Sequence, residues 1–251
     1  PLDLTSVIQS QGSSARQSLK RLEEADLLIW DQREKRDPLL DAPALGAKTA
    51  PNLNKDQVSA LDHIIRENNS RTFLLYGVTG SGKTEVFLGA AEHCLANEQQ
   101  VLVLVPEIGL TPQLVGRFRA RFGEKVAVLH SGLTGGERLG EWRKIRANEA
   151  QIAVGARSAL FAPFNDLGLI VVDEEHDDSY KQDEGVPYNA RDLAVVLGKM
   201  RRCPVVLASA TPSMESWQNA KNEHYGLLSL PERATPRDVP KVELVDLTEL
   251  R

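Results

Sequence analysis

Residues 77–84 read G-V-T-G-S-G-K-T, a run of small residues closed by a lysine and a hydroxyl that is suited to gripping phosphate. Gly77, Gly80 and Gly82, with Thr79 and Ser81 between them, let backbone N–H groups turn inward toward phosphate oxygens, and the positive end of a following helix adds to their field. Lys83 brings an ammonium to the β- and γ-phosphates, and the Thr84 hydroxyl is a ligand for Mg²⁺. The second constellation, D-E-E-H at 173–176, ends an apolar run in carboxylates. Asp173 is placed to hold Mg²⁺ through water, and Glu174 to polarise a water that attacks the γ-phosphate. A strand that merely ends in solvent would also end in acids. The third, Ser209-Ala210-Thr211, offers hydroxyls that suit a site and equally suit the capping of the next helix. His176 is a candidate link between the Mg²⁺ site and either Thr211 or the loop that follows the box. Together these groups predict chemistry on a nucleoside triphosphate with Mg²⁺.

Such groups need a scaffold that brings loops from distant parts of the chain to one edge. Apolar runs at 72–76, 101–105, 126–129, 151–154, 169–172 and 205–209 are those of a parallel sheet buried on both faces. Helical stretches lie between them at 84–97, 112–122, 137–147, 190–201 and 212–222. Thr111 before Pro112, and Thr211 before Pro212, read as N-caps followed by proline at the first helical position. The alternation predicts an α/β fold, doubly wound around a mainly parallel sheet, with ligands at the carboxyl ends of the strands. The first forty residues differ. A helix over 15–25 capped by Ser13 or Ser14, with Leu19 and Leu22 on one face, precedes a short strand at 27–30 and a charged turn at 31–37. That is the rhythm of the end of a winged helix, the alternative being an amphipathic helix packed on a neighbouring domain. The predicted organisation is therefore 1–37 as part of a winged-helix domain, 38–51 as a Pro-rich linker, 52–235 as the nucleotide-binding lobe, and 236–251 as the start of a connection to a further lobe, with a strand beginning at 242–245.

Composition narrows the classes. The 251 residues carry 30 Lys+Arg against 35 Asp+Glu, a net charge of −5, so nucleic-acid contacts must come from local patches. An apolar fraction of 41% with 26% charged residues argues against wholesale disorder or a fibre. No apolar run approaches the roughly 18 residues of a membrane span. Cys94 and Cys203 are the only cysteines, too few for a disulfide scaffold or a four-cysteine zinc site, and read as reduced core residues. His63, His93 and His224 lack ligand spacing. Without an initial Met or a signal peptide, the chain reads as an excised piece of a larger cytosolic protein.

The order of the phosphate loop, the D-E-x-H box and the S-A-T element resembles the first motor lobe of superfamily 2 helicases. L-N-K-D-Q at 53–57 looks like that group's adenine-reading segment, with Gln57 facing the adenine edge. The runs V-P-E-I-G-L-T-P-Q (105–113), H-S-G-L (130–133), R-S-A-L-F-A-P-F (157–164), D-E-E-H-D (173–177), S-Y-K-Q (179–182) and Y-N-A-R-D (188–192) are similar to the bacterial primosomal replication-restart helicases, the PriA family. Glu175, where most helicases have Ala, favours that family, and a winged helix just before the motor fits it. Ala156 departs from the family's usual Thr, removing a candidate phosphate contact. Pro187 departs from a common Arg and weakens any basic role for its loop.

The resemblance implies a RecA-like, ATP-binding lobe of a 3′–5′ DNA helicase that acts at abandoned replication forks. Lys83, Thr84, Asp173 and Glu174 would drive hydrolysis with His176 beside them, and Gln57 with residues 77–84 would bind ATP. It implies single-stranded and fork DNA, primosomal and single-strand-binding proteins as partners, a bacterial cytoplasmic and nucleoid-associated location, no membrane, and zinc only elsewhere in the full-length protein. Thr111, Gln113, Arg157 and Ser158 would touch a DNA backbone, the alternative for Arg157 being a surface salt bridge. The loop at 179–191 resembles one that couples DNA binding to hydrolysis, with Tyr180 and Tyr188 able to stack on bases and with Lys181, Arg191, Ser209 and Thr211 in the coupling path. Residues 173–184 hold seven acids and one lysine, so this loop is a sensor unless Lys181 and Arg191 project to the DNA. The basic run Arg117, Arg119, Arg121 and Lys125 reads as a solvated face anchored by Phe118 and Phe122, or as a DNA groove. Because a second lobe donates the arginine finger, worth roughly 10³–10⁵ in rate, the fragment alone is expected to bind ATP weakly, barely hydrolyse it and not unwind DNA. The alternatives are another P-loop ATPase such as a small-molecule kinase, a DNA-binding regulator, or a nucleotide-gated binding module without motor activity.

Overall fold

The computed structural model describes residues 15–24, 37–45, 51–67 and 70–234. The chain divides into two units, Pro1–Arg36 and Asp37–Arg251. In the first, helix α1 (Ala15–Glu24) forms where the leucine spacing predicts it. The caps at Ser13 and Ser14, the strand at 27–30, the turn at 31–36 and the strand start at 242–245 lie outside the described residues.

The second unit alternates as the apolar runs demand. It runs α2 (Lys55–Ile65), β1 (Thr72–Gly77), α3 (Lys83–Ala96), β2 (Gln100–Leu104), α4 (Pro112–Phe122), β3 (Val126–Leu129), α5 (Gly135–Arg146), β4 (Ile152–Gly155) and β5 (Leu167–Asp173). A two-residue hairpin pair, β6 (Lys181–Gln182) and β7 (Tyr188–Asn189), leads into α6 (Ala190–Arg201), β8 (Val205–Ser209), α7 (Met214–Lys221) and β9 (Gly226–Leu230). Seven strands form one parallel sheet in the order β3-β4-β2-β5-β8-β1-β9.

Because side chains alternate across a strand, neighbouring residues feed opposite faces. Phe73, Leu75, Val101, Val103, Val171 and Val206 pack under α3 and α4, with Phe87 and Phe118 stacked 6.5 Å apart. Leu74, Leu102, Leu104, Ile170, Val172 and Leu207 pack on the other face with Ile145, Ala190, Ala194 and Tyr180. Both faces are therefore buried over the middle of the sheet, which is why the central strands carry consecutive apolar residues between their ends.

Three sequence expectations are corrected. Residues 38–51 are not a free linker over their described part. Leu39 and Leu40 pack against the core, Ala42 is buried, and the Arg119 guanidinium donates to the carbonyls of Leu40 (2.7 Å) and Ala42 (2.6 Å), while the Leu45 N–H donates to Gly116 O (2.9 Å). The leucines give this strap an apolar underside, and the arginine satisfies carbonyls its turn leaves open. The basic run is accordingly neither a solvated face nor a groove at its centre, since Arg121 is also occupied, pairing with Glu85 and Glu92 at 5% side-chain exposure. Finally, α7 starts at Met214, not Pro212. Ser213 is the N-cap and accepts from Ser216 N, whereas the Thr211 N–H donates to Ser209 Oγ (2.9 Å) and closes a turn before the helix. The Thr111 cap forms as predicted, its hydroxyl accepting from Leu114 N.

Candidate nucleotide-binding site

The sheet register sets the site. Tyr76 lies beside Ser209, and Asp173 beside Ala208, so the loops after β1, β8 and β5 emerge side by side at the carboxyl edge. The phosphate loop leaves β1 at Gly77. Gly80 and Gly82 take φ of 82° and 84°, a region that side-chain-bearing residues rarely adopt. Gly82 has a further reason to be glycine, because a Cβ there would collide with Gln57 Nε2. Lys83 is the first residue of α3, and its buried ammonium donates to Gly77 O at 2.7 Å, folded back over the loop. Burial lowers the lysine's pKa, and the charges of Glu174 and Asp173 work against that lowering, which places both acids within its field.

Burial pushes the Asp173 carboxyl up to about 6, with the Glu174 charge adding to the rise and the Glu174 N–H and Lys83 opposing it. A half-buried carboxylate held near a lysine, with one backbone donor at 3.1 Å, has spare coordinating capacity. Glu174 follows with φ of 45°, a strained backbone for a side-chain-bearing residue. His176 Nδ1 lies 2.8 Å from Ser209 Oγ and 3.7 Å from Glu174, and Nε2 lies 3.4 Å from Thr211 Oγ1. His176 thus bridges the D-E-E-H box to the S-A-T element.

Of the predicted residues, Gly77, Thr79, Gly80, Ser81, Gly82, Lys83, Thr84, Asp173, Glu174, His176, Ser209 and Thr211 all fall on these three neighbouring loops. Gln57 sits against the phosphate loop, but its carboxamide is partly engaged. Nε2 donates to Ser81 O (2.8 Å), and Oε1 accepts the Asn54 N–H in a reciprocal cap of α2 (2.9 Å). The sequence N-x-x-Q carried that signal. Thr111 and Gln113 follow β2, and Arg157 and Ser158 follow β4, on the far side of β5 from the phosphate loop. Gln113 and Ser158 are exposed there.

The loop after the box departs from expectation. Tyr180 is 1% exposed, so its ring offers no face to a base; its hydroxyl instead donates to Asp173 O at 2.6 Å. Among the described residues Arg157 forms no salt bridge. It donates to the carbonyls of Ser179 and Lys181 and lies 6.0 Å from the Tyr188 ring, latching the turn Arg157–Phe161 to β6. Phe161 packs edge-on to Tyr188 at 5.5 Å and stays 53% exposed. Arg191 turns inward to Glu175 and Ser213, whereas Lys181 stays exposed at the surface, paired there with Asp178 (2.6 Å). Pattern reading missed Ser213 altogether, and missed the structural roles of Glu175 and Tyr180, which it singled out for other reasons.

The donor set fits a nucleotide with its ion. Among the described residues the buried Ser81 Oγ has no hydrogen-bond partner, inside a loop whose glycines hold open the backbone beside Lys83. No cluster of three acidic, His or Cys side chains occurs there, so an ion would lean on Thr84, Asp173, phosphate oxygens and water.

Residues 54–220 match the DEAD/DEAH box helicase family, and the chain belongs to it. Among curated relatives it is 50% identical over 218 residues to the replication restart protein PriA of Bacillus subtilis, covering 85% of this chain and 27% of that one. It is 47% identical over 237 residues to the replication restart protein PriA of Synechocystis, covering 92% and 28%. The chain therefore spans less than a third of the relatives it matches. Among solved structures, RecG bound to a three-way DNA junction superposes with a TM-score of 0.54 at 22% identity, over 74% of this chain and 24% of that one. A hypothetical ATP-dependent RNA helicase from Sulfolobus tokodaii gives 0.52 at 19%, over 71% and 53%. At these identities the likeness concerns the fold, a RecA-like helicase lobe. Among the described residues no helix is long and apolar enough to cross a membrane.

Proposed function

We propose that this chain is the ATP-binding first motor lobe of a 3′–5′ DNA helicase that acts in replication restart. The observation that carries the reading is the shared field of Lys83, Asp173 and Glu174 at the tips of β1 and β5, with an unpartnered Ser81 hydroxyl beside them. The loop amides, Ser81 and Lys83 hold the triphosphate. Thr84 and Asp173 would hold Mg²⁺, which would neutralise charge on the phosphates. Glu174 orients and deprotonates the attacking water, and His176 passes the state of that site to Thr211 through Ser209. Gln57, already on the Ser81 carbonyl, keeps one N–H and one lone pair for the adenine edge.

Single-stranded DNA runs over the loops after β2 and β4, where Thr111, Gln113 and Ser158 meet its backbone. Arg157, Lys181, Tyr188 and Arg191 act there as a sensor, because both guanidiniums are engaged within the protein, Tyr188 lies against Arg157, and the exposed Lys181 is already paired with Asp178. Fork DNA, primosomal and single-strand-binding proteins are the partners, and the bacterial cytoplasm near the nucleoid is the setting. These assignments, a winged-helix role for residues 1–37, and zinc elsewhere in the longer protein follow the likeness to the restart proteins.

The test is titration of labelled single-stranded and forked DNA onto this chain, with and without Mg²⁺ and a non-hydrolysable ATP analogue. The analogue binds wild type and raises its Tm, whereas Lys83→Ala shows neither effect. DNA affinity changes with the nucleotide. Equal analogue binding by Lys83→Ala refutes the site, and DNA binding indifferent to nucleotide refutes the motor. Turnover of this lobe alone stays at least about tenfold below that of a two-lobed protein, since the arginine finger comes from the second lobe.

A further inference from the structure

Glu175 is 1% exposed, yet its carboxylate is saturated with donors. Oε1 accepts from the Ser213 N–H at 2.7 Å, and Oε2 accepts from the hydroxyls of Ser213 (3.0 Å) and Ser216 (2.8 Å) and from the Arg191 guanidinium (3.3 Å). A buried charge held by four donors on two other elements is a fixed point, and removing any one donor leaves a desolvated charge short of its partners. Beside it stands the residue that most needs one. Glu174 has φ of 45°, and a strained turn of that kind persists only where its neighbours over-determine it. On one side the Glu174 N–H donates to Asp173 Oδ1 (3.1 Å), and the Tyr180 hydroxyl holds the Asp173 carbonyl (2.6 Å). On the other, the Glu175 N–H donates to Ala208 O (3.1 Å), the Asp177 N–H closes onto Glu174 O (2.9 Å), and the Glu175 side chain is clamped to α7.

The clamp has a second arm. Arg191 enters from the first turn of α6, two residues after β7, and also donates to Ser213 Oγ at 2.8 Å. Movement of the β6–β7 hairpin therefore reaches Glu175 through one side chain, and the box through one peptide unit. Arg157 ties the base of that same hairpin to the turn after β4, on the side of the sheet away from the phosphate loop.

We propose that Glu175 is a positioning residue that fixes Glu174 in its left-handed turn, and that Arg191 makes this hold respond to the hairpin. The inference rests on the ATP-hydrolysing reading of the site. The test uses the full-length protein that carries this chain and compares wild type, Glu175→Gln, Ser216→Ala and Arg191→Gln. ATP turnover is measured with and without single-stranded DNA, and analogue binding separately.

In Glu175→Gln, kcat falls by about 30-fold or more while KM and analogue affinity stay within about threefold, because nucleotide contacts are intact and only the attacking geometry is lost. Ser216→Ala removes one donor while leaving both charges paired, and lowers kcat by about threefold to tenfold. Arg191→Gln lowers the ratio of DNA-stimulated to unstimulated turnover by about fivefold or more. A wild-type rate in both Glu175→Gln and Ser216→Ala overturns the inference while leaving the site reading intact. Parallel loss of analogue affinity in those variants overturns it too, because the role would then be structural. An unchanged stimulation ratio in Arg191→Gln removes the coupling arm, and a wild type that binds no analogue overturns the site reading and this inference together.

Discussion

Replacing Asp173 by Asn should stabilise the lobe when no nucleotide is present, and by an amount that depends on pH. The carboxyl sits at about 6 in the fold against an ordinary 3.8, chiefly because burial strips water from its charged form. The native state therefore binds a proton more tightly than the unfolded chain, and stability falls as pH rises from about 4 through 6. Above about pH 7 the whole penalty is present, and two pH units of displacement correspond to about 3 kcal/mol. Asn keeps an oxygen for the Glu174 N–H and carries no charge, so it escapes the penalty. Burial of its amide subtracts a constant that does not vary with pH. The measurable quantity is thus a change in the difference: the advantage of Asp173→Asn over wild type in urea unfolding should shrink by about 2 kcal/mol between pH 8 and pH 4.5. With Mg²⁺ and an ATP analogue the order should invert if Asp173 holds the ion as proposed, since wild type then gains from binding that the variant largely lacks. A variant less stable than wild type at pH 8, or a difference that does not move with pH, would refute the claim that this carboxylate is kept charged against its environment for a ligand's sake.

Other expectations follow from single contacts. Tyr180→Phe leaves the Asp173 carbonyl without its buried donor and should cost about 1–2 kcal/mol in denaturant unfolding, with faster amide exchange over residues 174–180. Gly82→Ala meets both a φ of 84° and the Gln57 amide, so analogue affinity should fall by about tenfold or more in calorimetric titration, at a stability loss of about 1–2 kcal/mol. Arg119→Ala removes both donors to the strap at residues 37–45; exchange there should rise sharply while the sheet keeps its protection, and global stability should drop by about 2 kcal/mol.

Much of this arrangement was legible in the sequence because chemistry and periodicity coincide at the strand ends. Six apolar runs end where the loops begin, and G-x-x-x-x-G-K-T, D-E-E-H and S-A-T fall on three of those ends. Strand β9 escaped because Gly226–Leu230 alternates buried and exposed positions, as an edge strand does, and so lacks the continuous apolar run of its neighbours. Helix α2 escaped because its eight exposed or half-exposed positions among eleven dilute the apolar spacing, although the cap Asn54-x-x-Gln57 was there to be read.

The loop at 179–191 shows where pattern stops and tertiary contacts decide. Tyr180, Lys181, Tyr188 and Arg191 have the composition of a nucleic-acid contact, aromatic and basic residues interleaved. Which way each faces depends on partners supplied by elements far apart in sequence: the Asp173 carbonyl for Tyr180, Glu175 and Ser213 for Arg191, Phe161 for Tyr188. A buried carboxylate cannot be left unpaired, so Glu175 claims Arg191 before any external phosphate can. The same requirement ties the third residue of the box to α7 and, through Arg191, to α6. The departure of this D-E-E-H sequence from the commoner Ala at its third position is then a mechanical difference, because an Ala there would make no side-chain bond to α6 or α7, and the turn at Glu174 would keep only the holds at Asp173, from its own carboxylate and the Tyr180 hydroxyl, and its backbone contacts.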